Sequence, residues 1–177
     1  MAEGNVERLW QARHPWIVAG GGSSDHAYEL AWHLQEKGAL ARVLRGSKMT
    51  TLDGFFTEVG AALQFPAYFG ENWDALDECL TDLLWLRGPA YALIVADAHL
   101  LFRDVDPDPL PTFVRVADSA GKAWSTAQDQ DKPWGHGRVP FHVVLQIPED
   151  ERAKWSARLA ASGLAVPWSE FEIPGRT

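Results

Sequence analysis

The stretch WIVAGGGSSDHAYELAWHLQEKGALARVLRG, residues 16–46, holds a complete strand–helix–strand pattern. Its first part, residues 16–20, and its last part, residues 39–46, are short apolar runs of the kind that form strands. Between them, apolar side chains recur at helical spacing over about residues 25–37, and Ser or Asp residues before this helix can cap it. Because short turns separate the three elements, the pattern predicts two parallel strands joined by a helix.

The rest of the chain continues this alternation, which indicates an α/β fold with a parallel sheet of about four strands covered by helices. The run AYALIVAD, residues 90–97, is continuously apolar, as is typical of a strand buried on both faces. The other predicted elements are helices at residues 52–63, 73–84, 98–103, 111–125 and 148–163, a strand at residues 139–147 and a short last strand at residues 169–173.

Composition and charge limit the classes of function. The 177 residues suit a single domain spanning residues 1–177, and the net charge of −8 argues against a general nucleic-acid binder, which needs a basic surface. No apolar run is long enough to cross a membrane, the start does not resemble a leader, and Cys79 is the single cysteine, so the sequence predicts a cytoplasmic protein without disulfides. The histidines lack metal-ligand spacing, so neither a metal site nor a cofactor is predicted.

The helix predicted at residues 73–84 is acidic, with several carboxylates and no basic residue. Asp74 lies in the first turn, where a negative charge interacts favourably with the helix dipole. Glu78 and Asp82 lie towards the other end, where the dipole disfavours them, and the three acids form one stripe at i, i+4 and i+8. Each like-charged pair at this spacing costs about 0.2–0.5 kcal/mol. A solvated surface would account for these charges, and so would a docking surface for a cationic partner.

The same helix carries a resemblance to a known family. FPAYFGENWDALDECLTDL, residues 65–83, closely resembles the segment that marks the barstar family of intracellular inhibitors of the secreted ribonuclease barnase. The pattern P-x-Y-[YF]-G-E-N-x-D-A-L, followed by C-L, is specific, and a looser resemblance extends over residues 41–147. It implies a barstar-like core there, with an N-terminal βα extension at residues 1–40 and a C-terminal extension at residues 148–177.

The resemblance implies a protein that is not an enzyme but blocks a secreted microbial ribonuclease in a 1:1 complex. The active site of such a ribonuclease binds RNA phosphate through basic side chains, and a carboxylate can bind the same groups. By position, Glu78 matches the family's most deeply inserted acid, where the family has aspartate, and Asp74 matches its second key acid. The other matched contacts are Tyr68, Asn72, Trp73 and Thr81.

Three positions depart from the family pattern or lack a clear match. Asp77 stands where the family has a tryptophan beside the inserted acid, and Asp82 with Leu83 stands where the family has Gly-Trp. Asp118, with Ser119 adjacent, is the nearest candidate for a further acid on the family's last helix. These departures bear on which ribonuclease is bound.

Two alternatives to this function stay open. The same acidic surface would serve an immunity protein or an adaptor that binds a different basic toxin or protein. The glycine-rich turn in IVAGGGSSDH, residues 17–26, has the setting of a phosphate-binding loop, although it lacks the GxGxxG spacing and a Walker lysine, so an ordinary turn is favoured. The strand before this turn is expected to lie beside the family's first strand, residues 39–46.

Overall fold

The computed structural model describes residues 6–173, which form an α/β fold. Its strands are β1 (Ile17–Gly21), β2 (Leu40–Arg45), β3 (Tyr91–Ala96) and β4 (Phe141–Ile147). Its helices are α1 (Ser24–Glu36), α2 (Leu52–Ala62), α3 (Trp73–Asp82), α4 (Leu110–Ser125) and α5 (Arg152–Ala161). Short 3-10 turns occur at Glu7–Trp10, Gly46–Lys48, Ala98–Leu100 and Glu149–Glu151. The fold class predicted from the sequence is confirmed.

The four strands form one parallel sheet in the order β1-β4-β3-β2. The expectation that the N-terminal strand lies beside β2 is therefore wrong, since β1 pairs with β4 at the opposite edge. The physical reason lies in the two candidate neighbours. β4 is buried along its whole length and would be an unstable exposed edge, whereas β2 carries Arg42 and Arg45, whose charges suit an edge strand.

Two predicted elements are shorter than expected. Residues 169–173 form no strand, because the C-terminal segment meets β1 at a single bridge between Ala19 and Trp168. Pro167 has no N–H to extend that pairing, and Phe171 is buried in the core instead. The helix expected at residues 98–103 is a single 3-10 turn, since Phe102 adopts a positive φ of 58° that a helix does not accommodate.

Helices cover both faces of the sheet. On one face α1 packs against β2 and β3, while α2, α3 and α4 enclose a larger core on the other. Phe55 lies at the centre of this larger core, with ring centroids 5.3 Å from Trp73 and 5.1 Å from Phe113. β1 and α5 contribute Ile17 and Trp155 to the same core. The single domain over the whole chain stays a prediction, and this shared core is in keeping with it.

Candidate partner-binding face

Helix α3 is fixed at both ends. Asn72 is its N-cap, and the Asn72 Oδ1 accepts a hydrogen bond from the N–H of Ala75 at 2.9 Å, as the sequence predicts. At the other end Leu83 adopts a left-handed conformation with φ of 40°, and its N–H donates to the Cys79 carbonyl at 3.2 Å. This conformation is uncommon outside glycine, and burial of the Leu83 side chain holds it in place.

The inner side of α3 is anchored in the core. Leu76, Cys79 and Leu80 are buried, and the indole N–H of Trp124 on α4 donates to the Leu80 carbonyl at 2.7 Å. Burial raises the pKa of the Cys79 thiol, and nearby carboxylates add to this rise. The thiol is therefore protonated at neutral pH, in keeping with the structural role predicted for this cysteine.

The outer side of α3 carries the predicted carboxylates. Asp74 and Glu78 are exposed, while Asp77 and Asp82 are half-buried. Among residues 6–173, none of the four takes part in an ion pair. The helix therefore holds four carboxylates without an ion pair, with Arg115 and Lys122 of α4 lining the same cleft as Asp74 and Asp77. The exposed carboxylates of Asp74 and Glu78 are available to an external cation.

The other predicted contacts, on α3 and just before it, differ in how far their side chains are exposed to solvent. Tyr68 is 75% exposed, so its ring is open to a partner. Trp73 is half-buried and its ring packs against Phe56, with centroids 5.2 Å apart, so most of its surface serves the core. Thr81 is also half-buried, and its hydroxyl donates to the Asp77 carbonyl at 2.9 Å.

Asp118 lies on α4 and faces α3 across a cleft of about 490 Å³. The structure thus brings it to the same face as Asp74, which lines the cleft as well. Its carboxylate, however, is already engaged: Oδ2 lies 2.8 Å from the Lys122 ammonium, and Oδ1 lies 4.0 Å from the His14 ring. Unlike the acids of α3, Asp118 therefore has an internal counter-ion, which the i,i+4 spacing to Lys122 indicates in the sequence.

Asp77 also lines the cleft between α3 and α4. Its Oδ1 atom is buried and has no hydrogen-bond partner within residues 6–173. A buried carboxylate oxygen without a donor costs free energy. The position at which the family has tryptophan thus holds an acid with one oxygen buried and without a donor.

Large apolar side chains are exposed beside α3, and Tyr68 is the one among them that the sequence predicts as a contact. Five such side chains are exposed in the described part of the chain, and three of these lie beside α3: Tyr68 before it, and Leu84 and Trp134 at its carboxyl end. Trp134 belongs to the polar loop at residues 126–140, whose path no periodicity specifies. Tyrosine and tryptophan are enriched at protein interfaces relative to the rest of the surface.

The glycine-rich turn lies at the carboxyl end of β1. Gly22 has a φ of 138°, and the space that a side chain would fill there is occupied by Gln146 and His26, whose Nε2 and Nδ1 atoms are 3.1 Å apart. The Ser24 hydroxyl donates to Asp97 Oδ2 at 2.5 Å. The chain's own side chains therefore fill this turn, which favours the interpretation as an ordinary βα turn.

Two further features concern residues 6–173. Within that range no group of three or more His, Cys, Asp or Glu side chains is placed to hold a metal ion. None of the helices there has the length and apolar character needed to span a bilayer.

Comparisons with known proteins bear on the family and on the fold. A family model described as barstar (barnase inhibitor) matches residues 39–146, a segment that includes α3 and α4. No curated protein matches the sequence. A solved structure of the Aeropyrum pernix ORC2 protein, in ADPNP–ADP complexes, has a TM-score of 0.54 and 14% identity, and the match covers 94% of this chain and 45% of that one. At this identity the likeness shows the fold alone, and the present chain spans less than half the length of that structure.

Proposed function

This chain belongs to the barstar family, and we propose that it is a cytoplasmic inhibitor of a secreted guanyl-specific ribonuclease, with which it forms a 1:1 complex. The observation that carries the proposal is the row of unpaired carboxylates on the outer side of α3. A ribonuclease active site binds phosphate through cationic side chains, and these carboxylates present equivalent acceptors. The chain acts by occupying the site and not by catalysis.

Glu78 and Asp74 are the central groups of this proposal. They lie one helical turn apart, so their side chains share one face at a Cβ spacing of about 5–6 Å. Both are exposed, and each can accept charge-assisted hydrogen bonds from arginine or lysine. Because the opposite side of α3 is buried, the two carboxylates are held by a rigid backbone, which lowers the entropic cost of binding.

The long-range electrostatic field of the chain also favours a basic ribonuclease as the partner. A net charge of −8 attracts a basic ribonuclease and raises the association rate at low ionic strength. Tyr68 adds an exposed ring at the amino end of α3, where it can cover part of the desolvated contact. The net charge thus steers the encounter. Once bound to cationic side chains of the ribonuclease, the carboxylates of α3 account for most of the binding free energy.

The direct test is a titration of ribonuclease activity. Barnase and other secreted guanyl-specific ribonucleases are mixed with increasing amounts of the full chain, and RNA hydrolysis is followed. We expect at least one enzyme to lose its activity completely at an equimolar ratio. A panel in which every enzyme keeps its activity would contradict the proposal.

A second candidate keeps the same face and changes the target. Asp77 and Asp82 add charge where the family has Trp and Gly, and this observation favours a partner with a more basic surface than barnase. Such a partner would be another basic toxin, with this chain as its immunity protein, or a basic protein for which it is an adaptor. Capture of a basic toxin that has no ribonuclease activity, and its neutralisation by the chain, would favour this candidate.

A further inference from the structure

A pocket of about 420 Å³ opens at the carboxyl end of α3, between the helix and the loop at residues 126–140. A smaller cavity of about 100 Å³ adjoins it. Both are lined by Asp82, Leu84, Trp134 and His136, and the larger one is completed by Thr81, Ala123 and Gln128. Thr81 and Asp82 belong to α3 itself, so the pocket continues the acidic face described above.

The loop that forms the outer wall is held by specific contacts. The His136 ring lies 4.4 Å from the Trp124 ring, and the Gln128 N–H donates to the His136 carbonyl at 2.8 Å. Arg138 Nε donates to the Ser125 carbonyl at 3.0 Å, and Arg87 donates to the Pro133 carbonyl. These bonds join the carboxyl-terminal end of the loop to α4 and its middle to the segment after α3, so the pocket has a defined wall.

The larger pocket combines apolar walls with polar side chains and one acid, Asp82. The adjoining cavity also contains Arg87, whose guanidinium group donates to the Pro133 carbonyl. Trp134 is 55% exposed and Leu84 is 42% exposed, so both offer apolar surface to another molecule. The Asp82 carboxylate has no ion-pair partner among the residues that the structure describes. An occupant that contacts the apolar surfaces of Trp134 and Leu84 and also pairs with the Asp82 carboxylate has an apolar stem and a planar cationic end.

Arginine is the side chain that meets these requirements. Its guanidinium group stacks on aromatic rings and bonds carboxylates in a bidentate way, while its methylene groups cover apolar surface. A purely apolar occupant would leave the Asp82 carboxylate desolvated without a partner. A lysine would reach Asp82 but would gain less from the flat indole of Trp134.

We propose that this pocket receives an arginine side chain of the ribonuclease, stacked on Trp134 and hydrogen-bonded to Asp82, with its stem against Leu84. This inference rests on the proposed function, because it names a second contact of the same complex. The pocket would select ribonucleases that carry an arginine at the rim of the active site, and would act on specificity separately from the phosphate-mimicking acids.

The first test measures the dissociation constant for the ribonuclease that the wild-type chain inhibits. Trp134→Ala and Asp82→Asn are each expected to raise Kd about tenfold, equivalent to 1.4 kcal/mol. The double variant should show less than the product of the two effects, because both residues hold the same guanidinium group. The matched controls are Trp32→Ala, 57% exposed on α1, and Glu36→Gln, exposed at the end of α1, which should change Kd less than twofold.

The outcomes separate this inference from the function on which it rests. If Trp134→Ala weakens binding and Asp82→Asn does not, the occupant is apolar and the arginine proposal is wrong. If neither variant matters while Glu78→Gln weakens binding, the pocket takes no part and the inhibitor function stands.

A second test needs no ribonuclease. The full chain is titrated with N-acetyl-arginine amide, and the indole N–H resonance of Trp134, identified by its loss in Trp134→Phe, is followed by NMR. We expect a saturable shift that N-acetyl-norleucine amide does not reproduce and that Asp82→Asn reduces. An unchanged resonance, or an equal response to norleucine, would overturn the proposal whatever the inhibition assay gives.

Discussion

Helices α1 and α3 begin alike and differ in what their charges do. Each starts with a side-chain cap, from Ser23 and Asn72 respectively, and each buries leucine residues. α1 has Asp25 in its first turn and both His33 and Glu36 in its last, so a base accompanies the acid there, and it packs directly on the sheet. α3 has Asp82 in its last turn, against its dipole, and packs mainly against α4. Because α3 carries four acids and no base of its own, its charges point to a role outside the chain.

The largest expected effect tests whether the two helices are equally well anchored. Leu30 on α1 and Leu80 on α3 are both fully or almost fully buried. Leu30→Ala and Leu80→Ala should each lower the free energy of unfolding by about 2–5 kcal/mol, measured by urea denaturation. A much smaller loss for Leu80→Ala would mean that α3 is loosely held, and the account of a rigid docking helix would then be wrong.

The next largest effect is a loss of ribonuclease affinity that is expected for acids on the outer side of α3 and not for an acid on α1. Glu78→Ala and Asp74→Ala should each weaken the ribonuclease complex by about 2 kcal/mol or more, since central contacts dominate binding. Glu36→Ala, on α1, is the matched control and should leave the affinity unchanged. Calorimetric titration measures the affinity, and circular dichroism establishes that each variant is folded. Wild-type affinity in both α3 variants would exclude the acidic helix as the docking surface.

A pH experiment distinguishes acids that serve the fold from acids kept for a partner. Hydrogen bonds from Arg45, the closest at 2.7 Å, lower the pKa of the Glu58 carboxyl below its ordinary value. The stability that this pair contributes is therefore present above the ordinary glutamate pKa and is lost as the pH falls through the lowered value. Glu58→Gln should flatten this decline in unfolding free energy, followed by urea denaturation between neutral and acid pH. Glu78→Gln should leave the decline in place, and an equal flattening by both variants would remove the distinction.

The smallest effect concerns the stability of α3 alone. Asp82→Asn removes one like-charged pair and one charge that opposes the dipole, so it should raise the free energy of unfolding by about 0.2–0.5 kcal/mol or slightly more. Thermal denaturation at low salt measures the change, and added salt should reduce it because screening already weakens the repulsion. A loss of stability in place of this gain would show that Asp82 serves the fold.

The sequence was sufficient where a local pattern determines the structure. The continuous apolar run of β3 and the Asn72 cap of α3 are examples, because burial on both faces and capping each leave a direct mark on composition. The position of β1 was missed, since a strand's own sequence does not specify which edge it will pair with. That information lies in the contrast between β2 and β4, one suited to an edge and the other not.

The candidate site also combines features that a local sequence pattern predicts with features that depend on tertiary packing. The stripe of Asp74, Glu78 and Asp82 follows from helical spacing, and the structure places all three on the outer side of α3. The unpartnered oxygen of Asp77 depends on the separation of α3 and α4, and the exposure of Trp134 depends on the path of an irregular loop. Neither leaves a periodic signal, because both are set by tertiary packing.

The position of β1 has a practical consequence for any shortened form of the protein. The segment matched by the barstar family begins at residue 39, so a fragment restricted to it would lack β1. Such a fragment would present the hydrogen-bonding groups of β4, all of whose residues are buried in the full chain, as an open edge. An exposed apolar edge recruits strands from other molecules, so the fragment should self-associate more readily than the whole chain. By pairing with β4, the strand β1 of the N-terminal extension therefore protects the sheet edge from aggregation.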